Sequence, residues 1–572
     1  VRRSGKYHEG PTPALNLINW GGRIRTSEWR YQKPLPYHLA TPHYRKIKAA
    51  IIAHQLNILQ GRDKRIRHFN RRRVLQLPPK SPNCYIENMR IVHIASEFAP
   101  IAKAGGLGEV LLGLPKELDR AGHKVDVIIP KYDFINPANL PHLKIQLADF
   151  KCLEYSNTMW TAAPENFHLH LLEARHPAGY FHRGKIYGCE DDIARFLYFS
   201  RAALEYLLIK NESIDVLHLH DWHVAFCAPL VKDLFKGLCK TVVLSLHNVE
   251  YQGKCATYDL DAIGINGSNY LTKEKLQDND PKYPNTINLL KGGIVYADAI
   301  IPVSSSYAKE ILTPAFGFGL DTTLRKNEKK ITGIVNGIDT QIWNPAKDPY
   351  LKTSYEIASS TKGKEANRKN FPLDHTKSPW VGAVTRLVPQ KGPELLEEAL
   401  KQTLSLGGCF LLLGSSPMEK IQNHFNKLKE KYKNNNRVLL HFDYDESLAH
   451  LIYAALDFLL VPSHFEPCGL TQLIAMRYGT VPIVRKTGGL QDTVFDCEDG
   501  QIPYARRNGF VFKEPTKASL NQTLQRAFNL FHKESATFNT LVKRGMESDF
   551  SWKKPAQEYL KIYTAYLSLA SK

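Results

Sequence analysis

From Met89 onward, short apolar runs alternate with stretches of helical spacing, and the loops between them are rich in glycine and charge. Ile91–Ala95 reads as a buried strand, followed by a glycine loop, a helix over Leu111–Ala121 and a second strand at Lys124–Ile129. The alternation returns at Val216–Leu219, Thr241–Ser245 and Ala299–Val303. A second series runs through Trp380–Val384, Phe410–Leu413, Val438–His441, Phe458–Val461 and Val481–Val484. Continuously apolar strands separated by helices imply parallel sheets covered on both faces, since each parallel crossover carries the chain back over the sheet. Two such series predict an α/β protein of two similar domains, residues 89–345 and 346–572, with a cleft between them. Between the series, Pro345–Ser378 is polar and reads as a linker plus a surface helix. Trp552–Leu569 has the spacing of an amphipathic helix with Tyr559, Ile562, Tyr563 and Tyr566 on one side.

A length of 572 residues exceeds what one core supports and agrees with two large domains plus an appendage. The net charge of +20 suggests nucleic acid until it is located. Residues 1–88 hold 18 Lys+Arg against 4 Asp+Glu, so this arm carries +14 and the body only +6. The arm includes Arg62–Arg67 and Arg71–Arg73, many Pro and His, and one short helical stretch at Ala49–Leu59. It reads as a nucleic-acid-binding arm, as a transit peptide poor in serine, or as a start assigned too far upstream of Met89, the last being the preferred reading. No apolar run approaches the length of a membrane span. Nine scattered cysteines without a C-x-x-C pair favour a reducing compartment and argue against a zinc site.

The candidate chemistry sits in the loops. Ser463–Thr471 follows an apolar strand and precedes a helix over Leu470–Tyr478 that stops at Gly479, so Glu466 lies at the carboxyl edge of a sheet, where ligands of this architecture bind. A carboxylate there is most simply a helix-start residue, but other phosphate-type turns shift the reading toward a ligand site. Lys103–Gly108 places Gly105 and Gly106 between the first strand and helix, where backbone can approach a phosphate, with Lys103 beside it. Thr385–Gly392 brackets another such turn with Arg386 and Lys391, two cations of different shape suited to a diphosphate. His218–His223 carries three histidines and Asp221; that density invites a metal reading, but no acidic or Cys partner set lies nearby, and pocket lining or local hydrogen bonding is preferred. His247 and Asn248 follow a strand that points at the cleft, and Thr487–Leu490 gives a further glycine turn. Asp259/Asp261 and Asp443/Asp445 are D-x-D pairs, yet Asp445 opens a helix and reads as its cap, so neither pair is counted as a metal site.

Taken in order, these loops resemble bacterial glycogen synthase and the plant starch synthases over residues 89–572. The resemblance is carried by Lys103–Gly108, His220–His223, His247-Asn248, Asn336–Thr340 with Trp343–Pro345, Arg386 with Lys391, Glu466–Gln472, Arg477–Gly479 and Thr487–Leu490. It implies two Rossmann-like doubly wound domains facing across a cleft (the GT-B type), with the terminal helix crossing back to the first domain. It also implies a retaining transferase that adds glucose from ADP-glucose to an α-1,4-glucan, with no cofactor or metal beyond the donor substrate. Residue by residue, Arg386 and Lys391 are implied to grip the diphosphate with Lys103, Gly105 and Gly106. Glu466 and His247 would attend the glucose, Asp221 and Asn248 would line the sugar pocket, and Cys468, Gly469, Leu470 and Thr471 would shape the site. Glu109 stands where the family carries Asp, and Tyr180–Glu190 is shorter than in many relatives. No membrane is implied, and the compartment is the cytoplasm, or a plastid in a plant. The rivals are a transferase using another nucleotide-sugar or acceptor, and nucleic-acid binding through residues 1–88.

Overall fold

The computed structural model describes residues 88–136, 146–163, 165–374, 378–443 and 445–570. The basic arm up to residue 87, with its expected helix at Ala49–Leu59, lies outside the described residues.

The first domain is built on an eight-stranded sheet. In chain order its strands are β1 (Arg90–Ile94), β2 (Lys124–Pro130), β3 (Gln146–Cys152), β4 (Tyr155–Ala162), β5 (His168–Ala174), β6 (Ile214–His220), β7 (Cys239–Leu246) and β8 (Ala299–Pro302). Their spatial order is β8-β7-β6-β1-β2-β5-β4-β3. The strands from β8 to β5 are parallel, while β4 runs antiparallel to both β5 and β3. The expected strands β1, β2, β6, β7 and β8 are all present, and they are buried along most of their length. The chain reverses direction across the sheet between β1 and β6, so the loops after these two strands open into one crevice.

The second domain has a six-stranded sheet: β9 (Trp380–Val384), β10 (Cys409–Leu413), β11 (Val438–His441), β12 (Phe458–Val461), β13 (Val481–Arg485) and β14 (Phe510–Phe512). All its pairings are parallel, in the order β11-β10-β9-β12-β13-β14. This is the doubly wound order of a dinucleotide-binding sheet, and its switch point falls between β9 and β12. The loops that follow those two strands carry Arg386 with Lys391, and Glu466.

The polar stretch between the sheets is not a surface linker. Leu351, Tyr355, Phe371 and Leu373 are all buried in the second domain's core beside Trp343 and Trp380. The helix Ser360–Arg368 buries Lys364, whose Nζ donates to the carbonyls of Tyr453 (3.3 Å) and Tyr478 (3.1 Å) and to Thr480 Oγ1 (2.8 Å). Three oxygens replace the water the ammonium gives up, which is why a charged residue is tolerated there.

The terminal helix (Lys553–Ala570) buries Tyr559, Leu560, Tyr563 and Leu567 in the first domain's core, with Trp552 just before it. Tyr563 Oη pairs with His218 Nδ1 on β6 at 2.8 Å. The last helix of the chain thus completes the core of the first domain.

Candidate active site

At the switch point of the second sheet, Lys391 ends a short 3-10 turn after β9, and Gly392 follows it in the left-handed region (φ +64°). A Cβ at Gly392 would sit 2.7 Å from the Pro462 carbonyl, so glycine lets this turn close onto the loop after β12. The closure brings Lys391 Nζ to 2.5 Å from Glu466 Oε2, which also accepts from Ser463 Oγ at 2.8 Å. Glu466 is 5% exposed. Gly488 packs directly on the Glu466 carbonyl, where a side chain would overlap it, and Gly489 N donates to that carbonyl at 3.0 Å. The backbone of Glu466 is therefore clamped as well as its carboxylate. Arg386 is exposed at the rim, with Glu250 of the first domain inside its electrostatic reach.

From the first domain, the helix predicted at Leu111–Ala121 starts earlier, at Gly106, so the glycine run itself forms the first turn. Lys103 Nζ lies 2.6 Å from Glu109 Oε1 and 3.5 Å from Glu446 Oε1 of the second domain. The longer Glu109 thus holds Lys103 at the mouth of the cleft. Gly105 is extended (φ −165°), and a Cβ there would meet nothing within 4 Å. Neither its conformation nor its neighbours require glycine, and the backbone there stands open to close approach. Lys103, Gly105, Gly106, Arg386, Leu470 and Thr471 line one cavity of about 280 Å³, together with Thr385, Gly414 and Ser415. Gly469 turns the chain just before Leu470 (φ +74°). Cys468 is buried behind that turn, and burial pushes its thiol up to about 12, so it packs as a neutral group.

The histidines sit deeper. Asp221 accepts from the backbone N–H of His247 (2.7 Å) and Asn248 (3.3 Å) through Oδ1. It has φ +60° and ψ −176°, a region almost reserved for glycine, and such strain costs on the order of 1–3 kcal/mol. Burial raises its carboxyl to about 7 against the two backbone hydrogen bonds. Next to it, His220 Nδ1 meets His247 Nε2 at 3.1 Å, and His220 Nε2 meets His93 Nδ1 at 3.1 Å. His220 therefore grips the ring of His247 while Asp221 grips its backbone. The nitrogens of His93, His218 and His220 cluster within 4.8 Å, the spacing of a metal site. Each of these rings, however, already meets another ring nitrogen, Ser245 Oγ or Tyr563 Oη. Burial moves all three well below the usual imidazole range. Asp445 caps the helix Glu446–Ala455 by accepting from Leu448 N at 2.9 Å, as expected.

Sequence reasoning missed Glu97. It is 3% exposed just after β1 and accepts from Ala104 N (2.8 Å) and Gly105 N (2.9 Å), with Tyr187 Oη donating to its other oxygen at 2.7 Å. It also missed the ties across the cleft. Ser304 Oγ donates to the Pro467 carbonyl at 2.6 Å, Ser306 Oγ to Asp492 at 2.6 Å, and Gly488 N to Glu310 at 2.8 Å.

Residues 90–326 match the family model described as the starch synthase catalytic domain, and residues 364–537 match glycosyl transferases group 1. The glycogen synthase of Protochlamydia amoebophila is 45% identical over 497 residues, covering 83% of this chain and 99% of that protein. A probable starch synthase 4, chloroplastic/amyloplastic, of Arabidopsis thaliana is 44% identical and covers 84% of this chain and 47% of that protein. The catalytic domain of starch synthase IV from Arabidopsis thaliana, solved bound to ADP and acarbose, superposes with a TM-score of 0.81 at 43% identity, covering 84% of this chain and all of that one.

Proposed function

The chain belongs to the glycogen and starch synthase family of glycosyltransferases, and from that premise we propose that it transfers glucose from ADP-glucose to the non-reducing end of an α-1,4-glucan with retention. The observation that carries this reading is the meeting of cations and backbone N–H groups from both domains on one cleft. Lys103 and the Gly105–Gly106 turn from one side line a cavity with Arg386 from the switch point on the other, and Lys391, paired with Glu466, lies further along the Arg386 loop.

Cleaving the glycosyl–phosphate bond develops positive charge on the sugar and negative charge on the departing diphosphate. Arg386 offers paired N–H donors and Lys391 a point charge, and fixed donors of this kind stabilise a leaving group without having to reorganise. Lys103 and the Gly106 helix start complete that grip from the first domain. The Glu466 carboxylate, held through Oε2, stands beside the glucose and supports its developing charge. Burial keeps the His247 ring neutral, at about 3, so it meets the sugar as a hydrogen-bond partner and not as a cation. Asp221 and Asn248 line the sugar pocket behind it, while Cys468 to Thr471 shape the wall. The Arabidopsis structure with ADP and acarbose supports an adenine nucleotide donor and a saccharide ligand here.

We place the enzyme in a reducing compartment, the cytoplasm or a plastid. The eight described cysteines are free thiols, and no described helix is long and apolar enough to cross a membrane. The test is ADP release from ADP-glucose by residues 89–572 in chelator, with and without glycogen, beside a panel of other nucleotide-glucose donors. Release that needs glycogen, persists in chelator and is strongest with ADP-glucose is expected. Preference for another nucleotide, or release indifferent to glycogen, overturns the substrate assignment.

A further inference from the structure

We propose that His220 and His93 are positioning residues that fix which ring nitrogen of His247 carries the proton, so that His247 presents Nδ1–H to the cleft. The proposal rests on the assignment of His247 to the sugar site and goes on to say how that ring is set.

The three rings form a line. His93 Nδ1 lies 3.1 Å from His220 Nε2, and His220 Nδ1 lies 3.1 Å from His247 Nε2. Both contacts join nitrogen to nitrogen, so in each one atom donates and the other accepts. Among the described residues no carboxylate bonds to any of the three rings. Burial holds His93 and His247 at about 3 and His220 well below the usual range, so each ring is neutral and carries one proton.

One proton per ring allows only two arrangements. In the first, His93 donates from Nδ1, His220 donates onward from Nδ1, and His247 accepts on Nε2 with its own proton on Nδ1. In the second, every direction reverses: His247 donates from Nε2, and His93 accepts on Nδ1 with its proton on Nε2. The far nitrogen of the line decides between them. His93 Nε2 is buried with no hydrogen-bond partner, in a residue that is 0% exposed. The first arrangement leaves a bare lone pair there, whereas the second leaves an unpaired N–H in the protein interior, the rarer and costlier defect. The proton order therefore runs outward from the core toward the cleft.

The fold holds this line from both sides. His93 and His218 are register partners on the parallel strands β1 and β6, and their ring centroids are 4.9 Å apart. His218 is itself pinned by Ser245 Oγ (2.7 Å) and Tyr563 Oη (2.8 Å). At the open end, His247 is partly exposed, and among the described residues its Nδ1 bonds to nothing. That atom is left for a ligand oxygen. As N–H it can donate to a hydroxyl or a phosphate oxygen; as a bare lone pair it could only accept from a hydroxyl and would repel a phosphate oxygen.

Nitrogen-15 NMR of the full chain with labelled histidine reads the protonated nitrogen of each ring, with peaks assigned by single substitutions. Nδ1 protonation of His247 is expected, and a ring protonated at Nε2 overturns the proposal. His93→Phe removes the donor that sets the direction, and we expect mixed His247 tautomers and a kcat lower by about tenfold, with the donor KM within about twofold. His93→Asn, whose amide N–H replaces the Nδ1 donor, is expected to restore the single tautomer and most of kcat. Loss of kcat in His93→Phe with the tautomer unchanged would make the role one of packing and overturn the proposal. Should His93→Phe fail to fold, the wild-type spectrum still decides. The spectrum needs no substrate, so it stands or falls apart from the choice of donor and acceptor.

Discussion

Lys391 Nζ and Glu466 Oε2 lie 2.5 Å apart although 75 residues separate them in the chain. The two residues lie in the loops after β9 and β12, the neighbouring strands at which the second sheet changes direction. The cation proposed for the diphosphate and the carboxylate proposed for the sugar are thus already in register before any ligand arrives.

That pairing separates two variants which activity alone would not. Lys391→Ala and Arg386→Ala should each lose about a hundredfold or more in turnover, as expected for removing a fixed donor to a leaving group. Lys391→Ala also strips a buried carboxylate of its partner and should cost about 1–3 kcal/mol of stability. Arg386 is exposed and its loss should leave the melting temperature unchanged. Turnover and thermal melts of both variants check this, and near-normal turnover in either would remove it from the site.

Gly105 makes the opposite kind of prediction. With open space above it and an extended backbone, Gly105→Ala should fold and melt like the parent, yet raise the donor KM by about tenfold, since a methyl group would stand where backbone must meet ligand. An unchanged KM would mean that the donor does not approach this turn.

Gly113 lies on the helix Gly106–Arg120, and a side chain there would overlap the Trp552 indole. Alanine is the better helix former by about 1 kcal/mol. The overlap should nonetheless win, since overpacking a filled core costs roughly 1–3 kcal/mol and Trp552 is only 2% exposed. Chemical denaturation of Gly113→Ala should show a net loss; a gain would mean that the terminal helix docks loosely.

Asp221 gives a pH test. Burial raises its folded-state carboxyl to about 7, against 3.8 for a freely solvated aspartate, so between these values the native protein holds a proton that the unfolded chain has released. Stability then falls as pH rises through that window, with a limiting slope of about 1.4 kcal/mol per unit, and levels off above pH 7. Asp221→Asn keeps an oxygen for the two backbone N–H groups and cannot ionise. Denaturation midpoints from pH 4.5 to 8 should show the parent losing stability relative to the variant up to about pH 7; parallel curves would refute the assignment.

The parallel strands were legible because burial on both faces writes them as unbroken apolar runs such as Val381–Val384 and Phe458–Val461. The antiparallel extension over β3 to β5 was not, because its strands carry no unbroken apolar run: Asn157, Thr158 and His170 are buried there despite their polarity. Pro345–Ser378 misled for a related reason: Leu351, Tyr355, Phe371 and Leu373 turn inward although they are few and widely spaced, and Lys364 is solvated by protein oxygens in place of water. Among the site residues, the loop positions were read from strand-to-helix turns. Glu97 carried no such signal, since its role depends on the chain folding back so that Ala104 and Gly105 point their N–H groups at it.

The docking of Lys553–Ala570 on the first domain also bears on biosynthesis. A ribosome makes the first domain's strands early, yet side chains that close its core, Tyr559 and Tyr563 among them, are made only after the second domain's sheet. Until then His218 lacks its tyrosine partner, and the apolar face that receives the helix stays open to water. The nascent first domain must therefore wait, incompletely packed, while the second domain's sheet is made, and its core closes only once the helix Lys553–Ala570 follows.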